Sequence, residues 1–248
     1  MFFLQKKGIS ADIFTWILAS IAGVFILVFF YRFATQHISV SETLTERQLV
    51  EHFIDELDAF GTSESSTKTL SFRDNVQLRF QCGSIGVGSY TKDLYRSVFA
   101  PPEVDGSTLS LWTEVWNFPF PITNFFYVTT KKTRTILVYD DKSVQFIQRF
   151  IAPKGMNIQS VHIKQLNLQE LHKQTQGLEN LHLIYFAPVR DVDTIVSTFR
   201  GVIPSVVEVN LDEHTVRSLA SGDEHVYFGD AMLYGVFFAT EQFGCLKR

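Results

Sequence analysis

An α/β architecture standing behind a single membrane-crossing helix is what this sequence predicts, on three observations. Ile13–Tyr31 is a run of 19 residues without a charge. From Thr133 onward, continuous apolar runs (TILVY, LHLIYF, VVEVNL) alternate with short amphipathic stretches. Between these two regions lies a β-patterned stretch rich in glycine turns and aromatic residues. The expected organisation is a flank at 1–12, a transmembrane helix at 13–34 and a capped helix plus β-rich subdomain at 35–132. A Rossmann-like three-layer unit ending in a β-hairpin follows at 133–248.

The apolar run comes first because it decides where the rest must sit. As an α-helix, 19 residues reach about 28 Å at about 1.5 Å each, close to the roughly 30 Å hydrocarbon core of a bilayer. The bilayer is therefore the first expected partner. Lys6 and Lys7 precede the run and only Arg32 closely follows it. Basic residues favour the cytoplasmic side, so the expected arrangement has the N-terminus inside and residues 35–248 extracytoplasmic. A cleaved secretory signal competes with an uncleaved anchor. Its apolar region would be shorter and would end in small residues, whereas this one ends in the bulky FFYRFATQH. The anchor is the preferred reading. The segment Lys6-Lys7-Gly8 ahead of an apolar helix also resembles the leader of archaeal type IV pilin-like proteins. That resemblance implies processing after Gly8 and a filament subunit.

Net charge is −4 over 248 residues, which argues against a nucleic-acid binder, since such proteins carry a basic face. The two cysteines, Cys82 and Cys245, belong to no CxxC or Cys/His pattern, so zinc is not expected. They either form one disulfide in an oxidising compartment or stand as separate buried thiols. Their apolar, strand-like contexts favour the second option. About 200 residues outside the anchor suffice for one α/β domain or two small ones.

Thr43 and Glu46 fit a capping box, and Leu49, Val50, Phe53, Ile54, Leu57 and Phe60 follow on one helical face. The helix should stop at Gly61. Its other face carries Glu51, Asp55, Glu56 and Asp58, most simply a solvated surface. Residues 61–68 read as a polar loop, then Thr69–Phe72 and Gln77–Cys82 as strands with period-2 alternation. The segment from Gly83 to Tyr90 has three glycines but lacks the spacing of a dinucleotide loop and the Lys of a P-loop. Glycines in a hairpin or bulge explain it better.

Ser97–Pro102 and Leu109–Val115 are further strand candidates. Then comes WTEVWNFPFPITNFFY, from Trp112 to Tyr127. Pro119 and Pro121 argue against a helix or a central strand, so the stretch is expected to loop at a sheet edge. It would form an aromatic mini-core, an exposed patch for a partner protein or glycan, or a surface dipping into the bilayer interface. Packing is the leading reading. As a partner-binding patch, it would use Trp112, Trp116, Phe118, Phe120, Phe125 and Phe126. Together with KKG..SA.IF..IL, the block FAPPEVDGSTLSLWTEVWNFPFPITNFFYVTT and the late YFGDAMLYGVFFATEQFGC, the chain resembles a family of uncharacterised single-pass membrane proteins of small-genome archaea. The resemblance implies an anchored layout and supplies no site residues.

From Thr133 the order of elements is β-α-β-α-β-α-β: Thr135–Tyr139, Ser143–Phe150, Ile158–Ile163, Leu168–Gln176 capped by Asn167, Leu181–Phe186, Val192–Phe199 capped by Asp191, and Val206–Leu211. Crossovers of this length make parallel neighbours, right-handed in nearly all cases. Val226–Phe228 and Tyr234–Thr240 are expected to close the sheet as an antiparallel hairpin.

Ligands of open α/β sheets sit at the carboxyl ends of the strands. The residues expected at that rim are Asp140, Asp141, Arg190, Asp212 and His214, which could hold a divalent metal or do acid/base work. Asp at strand ends more often caps helices and builds turns. No glycine-rich loop follows the first strand, no HExxH or GxSxG occurs, and no cofactor is expected. The leading expectation is a non-catalytic, membrane-anchored envelope protein with an extracytoplasmic interaction domain and an unknown protein partner. A membrane-tethered enzyme using the rim aspartates and a metal is the alternative.

Overall fold

The computed structural model describes residues 9–61, 65–117, 120–189, 191–199 and 204–239, with side chains omitted for 9–13 and 34–44. It is a mixed α/β structure with two six-stranded sheets. The chain divides into two units, 1–48 and 49–248.

The first unit holds most of α1 (Ile9–Phe60). Within it, Phe14–Phe33 is long and apolar enough to cross a membrane, and none of it is buried. The expected break before Thr43 is absent, because the backbone is helical from Ile9 to Phe60. No glycine or proline occurs between Phe33 and Phe60. A cap-like Thr–x–x–Glu cannot start a helix that nothing has stopped, since extending an existing helix is far easier than nucleating a new one.

The second unit begins with the last three turns of α1. Val50, Phe53, Leu57 and Phe60 are buried there against a sheet built from β1 (Ser66–Gln81), β2 (Ser84–Val87), β3 (Tyr90–Asp93), β4 (Ser97–Phe99), β5 (Glu103–Asn117) and β6 (Pro121–Thr129). Its order is β3-β2-β1-β5-β6-β4, antiparallel except where β4 runs parallel to β6. The acidic face of α1 is less solvated than expected. Glu51 pairs with Lys92, Glu56 with Lys68, and Asp58 with Arg96 at 3.1 Å. These partly exposed pairs orient the helix more than they stabilise it. At its end, a Cβ on Gly61 would lie 2.7 Å from the Phe126 ring, so only glycine lets the chain pass there.

The two strands expected on either side of residue 75 are one strand, β1, whose pairing with β5 shifts register between Ser71 and Val76. The glycine-rich segment forms two hairpin turns. Gln81 pairs with Ser84 and Val87 with Tyr90, leaving two-residue loops. Gly83 and Gly88 take φ of 72° and 54° in them, as tight hairpins demand. The aromatic block is not an edge loop. β5 and β6 are paired from Ser110–Thr129 to Asn117–Pro121, and both are interior strands. Pro121 is tolerated because it is the first residue of its strand.

The second sheet comprises β7 (Thr133–Tyr139), β8 (Ile158–His162), β9 (Asn180–Tyr185), β10 (Ser205–Asn210), β11 (Thr215–Ser218) and β12 (Glu224–Val226), in the order β12-β11-β10-β9-β7-β8. The first four strands are mutually parallel. Helix α2 (Val144–Arg149) packs on one face, and α3 (Leu168–Gln174) and α4 (Val192–Thr198) on the other. Asn167 and Asp191 cap α3 and α4 as expected.

The expected closing hairpin is wrong in place. The antiparallel extension is β11–β12, and the segment read as YGVFFAT holds the end of α5 (Gly229–Gly235) and the turn after it. Leu233, Val236, Phe237, Phe238 and Ala239 are all buried between the two sheets. Short apolar runs carry no periodicity that tells a buried helix from a strand. Enclosure on all sides decided the matter.

That middle layer joins everything in the second unit. Phe99, Trp112, Phe125 and Tyr127 of the first sheet share a cluster with Leu137, Ile184, Phe186 and Val207 of the second, and α5 is lodged among them. Buried hydrogen bonds fix the fit: the Tyr127 hydroxyl donates to Ala231 O, and the Thr135 hydroxyl to Phe237 O at 2.8 Å. Gly235 lies directly on the Phe99 ring, and a Cβ there would come within 2.5 Å of it. Alanine normally gains up to about 1 kcal/mol over glycine in a helix. Here overpacking should reverse the sign, and Gly235→Ala is expected to destabilise by about 1–3 kcal/mol. Urea titration followed by Trp fluorescence should show this. Adding Phe99→Leu should restore part of the loss, making the double variant less than additive.

Candidate functional site

The aromatic block divides by strand alternation. Trp112 and Phe125 point into the layer between the sheets, and Phe126 points beneath α1. These three are core residues with no surface left for a partner, a correction to the partner-binding set. Trp116 is half-buried, stacked on Phe125 with ring centres 5.4 Å apart, and its indole N–H donates to Phe228 O at 2.8 Å. Phe118 lies outside the described residues. Phe120 is 76% exposed, and Ile122 beside it is also exposed. Packing therefore dominates the described part of the block, with Phe120 and Ile122 facing outward.

The strand-end residues do not converge. β9 lies between β7 and β10, so the ends of those two strands stand about 10 Å apart at the usual strand spacing. Asp140 follows β7. One of its carboxylate oxygens accepts the amides of Lys142 and Ser143, each at 3.0 Å, and the Ser143 hydroxyl at 2.8 Å. Partial burial works to raise its pKa, but these hydrogen bonds outweigh it and the net direction is downward. Asp141 bonds Lys164 at 2.8 Å and His162 at 3.1 Å, and both lower its pKa. Asp212 and His214 are exposed in the turn from β10 to β11, where the Asn210 side chain accepts the Asp212 amide at 3.0 Å. His214 takes the left-handed φ of 54° there. Arg190 lies outside the described residues. Among those described, no three His, Cys, Asp or Glu side chains are grouped to hold a metal ion. The expected rim is a set of separate turn and cap residues, since one strand between two others keeps their ends apart.

What the strand ends do form is a crevice. In the order β8-β7-β9-β10 the chain leaves β7 in one direction and returns to its other side, so the helices switch faces between β7 and β9. At that point a cavity of about 500 Å³ opens, walled by Ile163, Leu166, Leu168, Val189 and Ile195. Asp140 and Asp191 also line it, and so does Tyr185. The Tyr185 hydroxyl is buried without a hydrogen-bond partner, and burial pushes its pKa up to about 12. Asp191 holds the Thr194 amide at 3.0 Å and the Thr194 hydroxyl at 2.6 Å, and these bonds lower its pKa. Sequence reading placed Asp191 as a helix cap and did not single out Tyr185. The only signal was one hydroxyl inside the apolar run LHLIYF.

Cys82 sits exposed in the β1–β2 turn and is disulfide-bonded. It is not a buried thiol. Cys245 lies outside the described residues, as do Lys6, Lys7 and Gly8.

Comparison with protein-family models, curated proteins and solved structures gives no match.

His182, in the middle of β9, is buried between Thr135 and Ser205 of the neighbouring strands, with neither ring nitrogen hydrogen-bonded. Burial lowers its pKa from 6.5 to about 4. The folded state refuses a proton that the unfolded chain accepts, so stability present above pH 6.5 should drain away as pH falls toward about 4. At about 1.4 kcal/mol per pH unit this comes to about 3 kcal/mol. Asp140, Asp141 and Asp191 have lowered pKa values and contribute at lower pH. Urea midpoints between pH 7 and 4.5 should fall steeply for the native protein. His182→Leu should flatten that slope while holding or raising stability at pH 7.

Proposed function

We propose that the chain is a membrane-anchored envelope protein whose folded unit, residues 49–248, stands outside the cytoplasm and works by binding rather than catalysis. The observation that carries this reading is Phe14–Phe33, twenty residues of helix with apolar side chains open on every side. Such a surface is untenable in water and ordinary in lipid. Lys6 and Lys7 ahead of the helix favour an inside N-terminus. The disulfide at Cys82 suits an oxidising compartment. For the folded unit we read the parallel order β8-β7-β9-β10 as Rossmann-like, with binding surface at the strand ends and at the exposed hairpin end of Phe120 and Ile122. The metal-dependent alternative has less support: Asp140 caps amides of its own turn, Asp141 is ion-paired with Lys164, and among the described residues no three His, Cys, Asp or Glu side chains are grouped.

The anchor is tested by extracting membranes with alkaline carbonate. The full chain should stay in the pellet, and Val24→Lys with Leu27→Lys should release it. Sidedness is tested on intact cells. Added protease should degrade residues 49–248, and a maleimide reagent should label Cys82 only after reduction. Full protection until the cells are permeabilised would overturn the outward placement.

A further inference from the structure

We propose that the crevice between the carboxyl ends of β7 and β9 binds a small organic cation, an apolar body carrying one amine. Three independent features of this chain converge there. The first is shape. A cavity of about 500 Å³ falls within the range of small-ligand pockets, roughly 300–1,000 Å³, and it lies where the sheet's crossovers change face. The second is an unmet hydrogen bond. Tyr185 is 3% exposed, lines the crevice, and its hydroxyl has no partner. A buried hydroxyl left unpaired costs free energy that a ligand can return. The third is charge. The walls Ile163, Leu166, Leu168 and Val189 are apolar and only partly covered, and among the described lining residues the groups that carry a charge at neutral pH are the carboxylates Asp140 and Asp191.

Both carboxylates are held ionised, so the mouth is negative while the interior is apolar. Lys164 lies close by, but its ammonium is paired with Asp141, which does not line the crevice. An anion would meet two like charges at the mouth. An uncharged apolar molecule would leave them unanswered. A cation with an apolar body satisfies walls and mouth together, and a polar edge on that body reaches the Tyr185 hydroxyl. This binding mode requires no metal and holds on whichever side of a membrane the unit stands.

The experiment uses the full chain in detergent and three ligands of one shape: tryptamine, its uncharged analogue tryptophol, and indole-3-propionate. Isothermal titration calorimetry should rank them in that order, with tryptamine about tenfold tighter than the anion. Asp191→Asn keeps an oxygen for the Thr194 amide but removes the charge. It should cut the preference for tryptamine over indole-3-propionate several-fold without lowering the thermal midpoint. Tyr185→Phe should weaken all three ligands by about two- to tenfold. Thr194→Trp, at an exposed position on the mouth, should abolish binding. Equal binding of cation and anion, a preference untouched by Asp191→Asn, binding that survives Thr194→Trp, or no saturable binding at millimolar ligand would each overturn the proposal.

Discussion

The layer shared by the two sheets is the constraint on which the folded unit depends. Phe99, Trp112, Phe125 and Tyr127 project from one sheet, Leu137, Ile184, Phe186 and Val207 from the other, and α5 with its following turn fills the space between. Rings touch in both edge-on and stacked arrangements, such as Phe99 with Phe125 at 5.4 Å and Phe99 with Tyr127 at 5.6 Å. Aromatic contacts of this kind add to the burial term through their directional preference. They leave little tolerance for extra volume, and a glycine at 235 is the only residue that lets α5 approach Phe99. Much of the chain's wealth of phenylalanine is used here and beneath α1, where Phe53 meets Phe80 at 5.8 Å.

Around that layer, polar groups are arranged to serve the backbone. The aspartates at strand and helix ends cap amides, the acidic face of α1 meets basic side chains of the first sheet, and the glycines of the two hairpins supply positive φ. Such arrangements place functional-looking residues where their chemistry is already engaged. The crevice between β7 and β9 includes two of these capping aspartates, Asp140 and Asp191, but combines them with features that no cap supplies. Its apolar walls are incompletely covered, its buried hydroxyl is unpaired, and its position follows from crossover topology rather than from any local motif. A binding site of that sort arises from how strands are ordered, which explains why no sequence signature announces it.

Legibility followed the range of the interactions involved. Helix caps at Asn167 and Asp191 and the parallel strands β7 to β10 were readable, because capping and continuous apolar runs are local signals. The aromatic hairpin was misplaced at an edge because proline is usually excluded from interior strands. Pro121 escapes that rule as the first residue of β6, a fact that depends on where pairing begins. The segment after Tyr227 was misread because Val-Phe-Phe suits a strand by propensity, while burial on all sides lets it form a helix and a turn. The acidic rim was misjudged for a related reason. Residues at successive strand ends are neighbours only if the strands are adjacent, and β9 separates the relevant pair.

By itself the sequence determined the existence and apolarity of the Phe14–Phe33 helix, the α/β alternation after Thr133 and a glycine-built turn region after Cys82. Each rests on interactions within a few residues or on the solvent that a segment can tolerate. Only the tertiary structure decided that α1 continues without a break, that the aromatic block lies inside a sheet, that α5 replaces a hairpin, and that Tyr185 with Asp140 and Asp191 surrounds a crevice. Those outcomes come from pairing and enclosure between residues far apart in the chain, which no local pattern encodes.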